Sequence, residues 1–208
     1  MKNKLLKRIA VIAVATLTTT MFIGCGDSSD KKDSSSDSGK KIEETSEKEV
    51  TTTDITYDTQ DINLDNFSFK IPANWTEQEI TASKQYLYYP SDADTTTGTS
   101  SANIVIQDIS ASTDLDEYYD MEATLEKQIT DQFDTASNFE FSDFSTKDFD
   151  VFVMEYDLTQ QGVSMHMVQY FPLIGDYTLV ITATNIGDNT DPDPILVGRI
   201  MTETLQVK

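Results

Sequence analysis

Alternation of apolar and polar residues in the second half of the chain predicts a series of antiparallel β-strands. Successive side chains of a strand point to opposite faces, so a half-buried strand has an apolar residue at every second position. Segment 150–160 follows this rule, with one face made of Phe152, Met154, Tyr156 and Leu158. The same signal occurs in 67–72, 84–90, 101–110, 163–173 and 176–185. Gly162 predicts a tight turn between two of these strands.

Two other segments have a helical period. Apolar side chains recur at three- and four-residue spacing in 115–133, and Asp114 or Thr113 can cap the start of this helix. The stripe consists of Leu115, Tyr118, Tyr119, Glu122, Leu125, Ile129 and Phe133. Asp193 and Pro194 form an N-cap and N1 pair before the closing segment ILVGRIMTETL, which predicts a second helix. Helices that cover a face of an antiparallel sheet define an α+β domain.

Residues 1–24 have the pattern of a secretory export signal. A cationic start precedes the apolar run Ile9–Leu17, and apolar residues resume after Thr20 as far as Ile23. The basic residues are Lys2, Lys4, Lys7 and Arg8. This stretch is shorter than the roughly 20 apolar residues of a membrane-spanning helix. The pattern therefore predicts a cleaved signal, and an uncleaved membrane anchor is the second interpretation.

Cys25 is the only cysteine of the chain, and it lies where the apolar run ends. Phe22-Ile23-Gly24-Cys25 resembles the lipobox of bacterial lipoproteins, with Phe22 in the place of the usual aliphatic residue. The resemblance implies that the Cys25 thiol receives a diacylglyceryl group and that a peptidase cuts between Gly24 and Cys25. It also implies a cell-membrane protein held by its lipid on the extracytoplasmic side. No cysteine remains for an internal disulfide.

Charge and composition divide the remainder of the chain into a tether and a domain. The 15 basic and 36 acidic residues give a formal charge of −21, and loss of the four basic residues before Cys25 leaves 11 against 36, or −25. Such a surface repels nucleic acids and anionic headgroups, so the lipid is the predicted contact with the membrane. Residues 25–60, the lipidated cysteine and a segment rich in Ser, Thr and acidic residues, predict a disordered tether. Residues 61–208 have the length of one domain.

The domain resembles the PsbP-like fold, which also includes a eukaryotic Ran-binding protein. The resemblance rests on FSFKIPANW at 67–75, SANIVIQDI before the first helix, the late hairpin within 156–185 and the closing helix. It implies an antiparallel β-sheet flanked by two main α-helices. It also implies a non-enzymatic role in binding or assembly, with no cofactor.

His166 is the only histidine, so a Ser-His-Asp site could form only around this residue. The chain has no G-x-S-x-G motif, and it lacks the histidines and cysteines of a zinc site. In the strand pattern, His166 faces away from Met165 and Met167, on the side of Ser164, Val168 and Tyr170. We therefore interpret it as a structural residue, and the sequence predicts no catalytic, cofactor-binding or metal-binding residue.

Two acidic segments invite a calcium interpretation. Asp92, Asp94 and Thr96 begin like a calcium-binding loop, but Gly98 comes one residue late and Asn103 stands where the loop needs glutamate. The second segment, 188–194, is better explained by helix capping at Asp193. Neither segment predicts a specific calcium site.

The aromatic residues Trp75, Tyr86, Tyr88 and Tyr89 could stack a sugar or a peptide, although aromatic residues on short strands are more often core. The favoured functional hypothesis is an anchored, non-catalytic domain that binds a protein or another cell-envelope partner. The alternative is a module for a small ligand or a cation, associated with a transporter. A hydrolase built on His166 or on a carboxylate pair is the third hypothesis.

Overall fold

The computed structural model describes residues 53–80, 85–94, 98–107, 111–187 and 190–208. The strands are β1 (Thr59–Asn63), β2 (Phe67–Pro72), β3 (Trp75–Ile80), β4 (Gln85–Pro90), β5 (Ser101–Gln107), β6 (Ser137–Ser145), β7 (Asp150–Gln160), β8 (Val163–Pro172), β9 (Thr178–Asn185) and β10 (Gln206–Val207). The helices are α1 (Leu115–Tyr119), α2 (Glu122–Gln132) and α3 (Pro194–Glu203). The predicted α+β class with antiparallel strands is confirmed. The predicted signal, Gly24 and Cys25 lie outside the described residues.

The strands form two antiparallel sheets, where the sequence pattern predicts one. Seven strands pair in the order β3-β4-β5-β9-β8-β7-β6, and a small sheet has the order β1-β2-β10. The alternating segment 67–72 is β2, at the centre of the small sheet. The prediction of a single sheet is wrong because the short partners of β2 have too few apolar residues to be recognised as strands.

Layers of side chains on both faces of the seven-stranded sheet form the core. Helices α1 and α2 cover one face over β6 and β7, whereas α3 and the small sheet cover the opposite face. The first face holds Tyr118, Met121, Leu125, Ile129, Phe152, Met154, Tyr156, Met165, Met167 and Phe171. The second holds Phe67, Phe69, Ile71, Tyr88, Ile104, Tyr170, Ile181, Val197 and Met201. Both faces of the central strands are covered, so these strands have buried side chains on both sides.

Glycine is required at two positions of this arrangement. Gln161 and Gly162 have φ values of 51° and 82°, the left-handed pair that a two-residue hairpin turn needs between β7 and β8. The predicted turn at Gly162 is confirmed. In α3, a Cβ on Gly198 would lie only 2.8 Å from the Cβ of Ala183 and 3.0 Å from the Tyr170 ring. The missing side chain therefore lets α3 lie close against β8 and β9.

The predicted helix over 115–133 is two helices rather than one. Helix α1 ends at Tyr119, and α2 starts at Glu122 after a break at Asp120 and Met121. The break buries Met121 beside Tyr118, so methionine occupies the place that the sequence pattern gives to Glu122. Of the other residues of the stripe, Leu125 and Ile129 are fully buried as predicted, Leu115 and Phe133 are partly buried, and Tyr119 is 36% exposed.

Ordered contacts begin before residue 61, the predicted start of the domain. Strand β1 starts at Thr59, so this boundary falls inside the strand. The Thr53 backbone N–H and hydroxyl both donate to the Glu203 carboxylate at the end of α3, at 2.8 and 2.9 Å. The segment from Thr53 onward is therefore joined to the folded domain.

Candidate functional site

His166 lies between two carboxylates on the seven-stranded sheet. Its Nδ1 is 2.9 Å from Asp157 Oδ1, and its Nε2 is 3.0 Å from Glu155 Oε1. Strand register sets this geometry, because Asp157 of β7 stands directly opposite His166 of β8. Glu155 lies two residues along the same strand and therefore on the same face. We call these three residues the histidine clamp.

Ion pairing and hydrogen bonding are the chemistry that the clamp geometry favours. Each ring nitrogen of His166 lies within hydrogen-bonding distance of a carboxylate oxygen. A general base needs a ring nitrogen that is free to accept a proton, and both nitrogens are engaged here. Ser164 shares the face, but its Oγ lies 3.4 Å from Thr159 Oγ1. The clamp thus gives no geometry for activating a serine nucleophile.

The clamp borders an open groove of about 460 Å³ that also includes Asn138, Asn185 and Gly187. The clamp side chains are 39%, 42% and 48% exposed, so water screens their charges. Asn138 Nδ2 donates to Asp157 Oδ2 at 2.8 Å. Hydrogen bonds from Asn138 and then from His166 lower the pKa of the Asp157 carboxyl below its ordinary value.

Asn138→Gly should raise the pKa of Asp157 toward its ordinary value. Asn138 has a φ of 56°, which glycine tolerates, so the substitution removes the donor without straining the backbone. His166→Ala should also raise this pKa, because His166 lowers it through its hydrogen bond and through its electrostatic interaction with the carboxylate. A ¹³C NMR titration of the Asp157 carboxyl measures both changes. Asn63→Ala, on β1, is the matched control and should leave this pKa unchanged.

The sign of the pH effect follows from the lowered pKa. Asp157 contributes stability above its unfolded-state pKa of about 3.9, and this contribution is lost as the pH falls through the folded-state value. As the pH falls through this range, the Asn138→Gly variant should therefore lose less stability than the wild-type protein. A titration in which Asn138→Gly leaves the Asp157 pKa at its wild-type value would contradict the assignment of the main donor.

The aromatic residues do not form a common platform. Trp75 and Tyr88 are 3% and 0% exposed in the core beneath α3 and the small sheet, which confirms the core interpretation. Tyr86 packs against the same core, whereas Tyr89 is adjacent to Tyr88 in β4 and faces the opposite side. Strand alternation thus divides these side chains between two faces.

The structure describes each acidic segment in part, 92–94 after β4 and 190–193 before α3. Asp92 follows β4, and Thr96 lies outside the described residues. The Asp193 carboxylate accepts a hydrogen bond from Ile195 N at 2.9 Å, so the predicted N-cap of α3 is confirmed. Within the described ranges, no group of three or more His, Cys, Asp or Glu side chains could hold a metal ion. No described helix is long and apolar enough to cross a membrane.

Sequence reasoning missed a set of polar side chains buried within the seven-stranded sheet. We call this set the polar row: Ser101, Asn103, Gln169, Thr182 and Thr184. All five are at most 1% exposed, and they come from the adjacent strands β5, β9 and β8. The available signal was the recurrence of polar residues at alternate positions in SANIVIQ and TLVITATN. A search that counts apolar residues does not detect this signal, because both segments are rich in Val, Ile and Ala.

Comparison with solved structures identifies the fold. A point mutant of the protein Mog1 matches with a TM-score of 0.51 and 10% identity, over 72% of this chain and 96% of that protein. This level of similarity shows a shared fold alone. No protein-family model and no curated protein matches the sequence.

Two further matches have lower TM-scores. LpqN of Mycobacterium tuberculosis, described as involved in cell envelope biogenesis, has a TM-score of 0.45 and 11% identity, over 73% of this chain and 91% of LpqN. A Bacteroides thetaiotaomicron protein has a TM-score of 0.45 and 17% identity, over 68% of this chain. The chain spans 45% of the length of that protein.

Proposed function

We propose that this chain is a lipoprotein, anchored through Cys25 on the extracytoplasmic side of the cell membrane and displayed at the surface, whose non-catalytic domain binds an envelope protein. We also propose that the domain has the PsbP-like fold. The sequence Phe22-Ile23-Gly24-Cys25 supports the anchor. The Mog1 match supports the fold.

The observation that carries the non-catalytic part of the proposal is the histidine clamp. His166 is the only histidine, and carboxylates engage both of its ring nitrogens. The acidic surface supports a basic or neutral partner, because a charge of −25 disfavours association with another strongly acidic protein.

Affinity capture from detergent-solubilised membranes tests this function. The bait is the full chain, and the control bait is an unrelated lipoprotein of equal length and charge. We expect one envelope protein to be enriched repeatedly over the control and to bind the purified chain directly in a second assay. Equal recovery of every protein on both baits would remove the support for a protein partner.

A small-ligand module is the second candidate function, and the polar row is the observation that favours it. Ser101 Oγ, Thr184 Oγ1 and both amide atoms of Asn103 are buried and have no hydrogen-bond partner among the described residues. Each such group costs about 1–3 kcal/mol of folding stability. Native structures contain few unsatisfied buried polar groups, and a bound water, ion or other molecule or a functional role accounts for those that remain.

A further inference from the structure

We infer that the polar row binds an uncharged molecule that carries an amide group. Asn103 is the central contact for this amide. This inference rests on the small-ligand function proposed above. It adds the position of the site and the chemical class of the ligand.

Strand register brings the row together at the centre of the sheet. Asn103 stands opposite Thr182, and Ser101 stands opposite Thr184, across the β5–β9 pair. Gln169 of β8 stands on the other side of Thr182, and its Nε2 donates to Thr182 Oγ1 at 3.4 Å. Directly paired residues of an antiparallel sheet share a face, so the five side chains form one continuous patch.

The patch lies on the face that α1 and α2 share, and its neighbours on this face are apolar except for the buried Gln85 of β4. Val105 and Val180 form the next pair along β5 and β9, Leu87 stands opposite Asn103, and Met167 stands opposite Thr184. Helices α1 and α2 pack over β6 and β7, at the other end of this face. Small-molecule sites usually have a few polar groups within apolar walls.

The chemistry of Asn103 selects the ligand class. Its side chain presents an NH₂ donor and a carbonyl acceptor next to each other, and neither atom has a protein partner among the described residues. An amide of the ligand offers the complementary acceptor and donor. The hydroxyls of Ser101 and Thr184 can rotate to donate or to accept, so they can complete the hydrogen bonds of the guest.

The absence of charge in the row excludes ions as its preferred ligands. None of the five side chains is ionisable, and a buried ion without a partner charge is strongly disfavoured. Acetate has the shape of an amide but carries a negative charge, so the row should discriminate against it. Peptides and N-acetylated sugars both supply neutral amides, and an experiment with both probes distinguishes these sources.

Saturation-transfer NMR on the full chain in lipid nanodiscs tests the inference. The probes are N-acetyl-alanine methylamide and N-acetylglucosamine, with acetate and glucose as controls. We expect saturable binding of at least one amide at millimolar concentration and none of acetate. Asn103→Leu should weaken this binding at least about tenfold, because it removes both hydrogen-bonding atoms. Asn63→Leu, the same change at an exposed position of β1, should leave binding unchanged.

Two milder variants keep the test decisive if Asn103→Leu does not fold. Ser101→Ala and Thr184→Val each remove one hydroxyl, and each should weaken amide binding several-fold. Saturable glucose binding without amide binding would overturn the amide assignment and leave the small-ligand function standing. Absence of binding by all four probes would overturn both the amide assignment and the small-ligand function. Amide binding by Asn103→Leu with wild-type affinity would overturn the assigned site.

Discussion

Cys25→Ser should release the protein from the membrane without unfolding its domain. Two acyl chains hold a protein stably to a bilayer, since each buried methylene contributes about 0.8 kcal/mol. Without them, the chain, whose formal charge is −21 with residues 1–24 and −25 without them, has no attraction to an anionic surface. Cys25 lies 34 residues before Thr59, the first residue of β1, so its substitution leaves the sequence of the folded domain unchanged. Fractionation and circular dichroism measure the two expected results.

The control for this variant is a chain that begins at Gly26 behind an ordinary cleavable signal. It is needed because an uncleaved signal in Cys25→Ser would leave a weak apolar anchor. The control protein should be fully soluble and should unfold at the wild-type temperature. Retention in the membrane fraction after a salt wash, or loss of the unfolding transition, would contradict the separation of anchor and domain.

Phe152→Ala should lower the free energy of unfolding by about 3–5 kcal/mol, the range for a large core aromatic residue replaced by alanine. Phe152 is 0% exposed and lies at the centre of the aromatic cluster beneath α1. Its ring centroid is 5.5 Å from that of Tyr118, 5.3 Å from Tyr119 and 6.0 Å from Phe171. Removal of the ring leaves a cavity that the neighbouring rings, including Phe141 at 5.9 Å, cannot fill without moving. Urea unfolding of the soluble chain that begins at Gly26 measures the effect.

Phe133→Ala is the matched control for this substitution. Phe133 follows the last turn of α2 and is only half-buried. The same change in side chain should therefore cost much less, since the site remains open to solvent and no closed cavity forms. Equal losses of stability in the two variants would contradict the assignment of Phe152 to the centre of this core.

Regular alternation made much of the seven-stranded sheet predictable from the sequence. Strands β7 and β8 combine long period-two patterns with Gly162 at the turn, so their pairing follows from local signals. Helix α3 was predictable from Asp193 and Pro194, because a side-chain cap and a fixed φ define where a helix starts. In these elements, local propensity and tertiary packing favour the same conformation.

Strands with mixed burial were not predictable in this way. In β6, Phe139 and Phe141 face the core beneath α2, whereas Phe144 faces the opposite core, so the apolar period changes within the strand. Strand β1 is largely polar and is held by its backbone pairing with β2. Hydrophobic periodicity detects burial of side chains and carries no information about backbone pairing.

Site geometry depends on which residues of neighbouring strands stand opposite each other. At the clamp this register was within reach of the sequence, because the two-residue turn at Gly162 places Asp157 opposite His166. At the polar row no local turn sets the register. Asn103 and Thr182 are 79 positions apart in the sequence, and only the β5–β9 register makes them neighbours. The polar row therefore became visible only in the folded sheet.

Intact-mass spectrometry of the protein extracted from its native membrane tests the proposed anchor most directly. The account predicts a mature chain that begins at Cys25 and carries the added mass of a diacylglyceryl group, with residues 1–24 removed. In Cys25→Ser this modified species should be absent. A wild-type protein that retains residues 1–24 and has an unmodified Cys25 thiol would contradict the account.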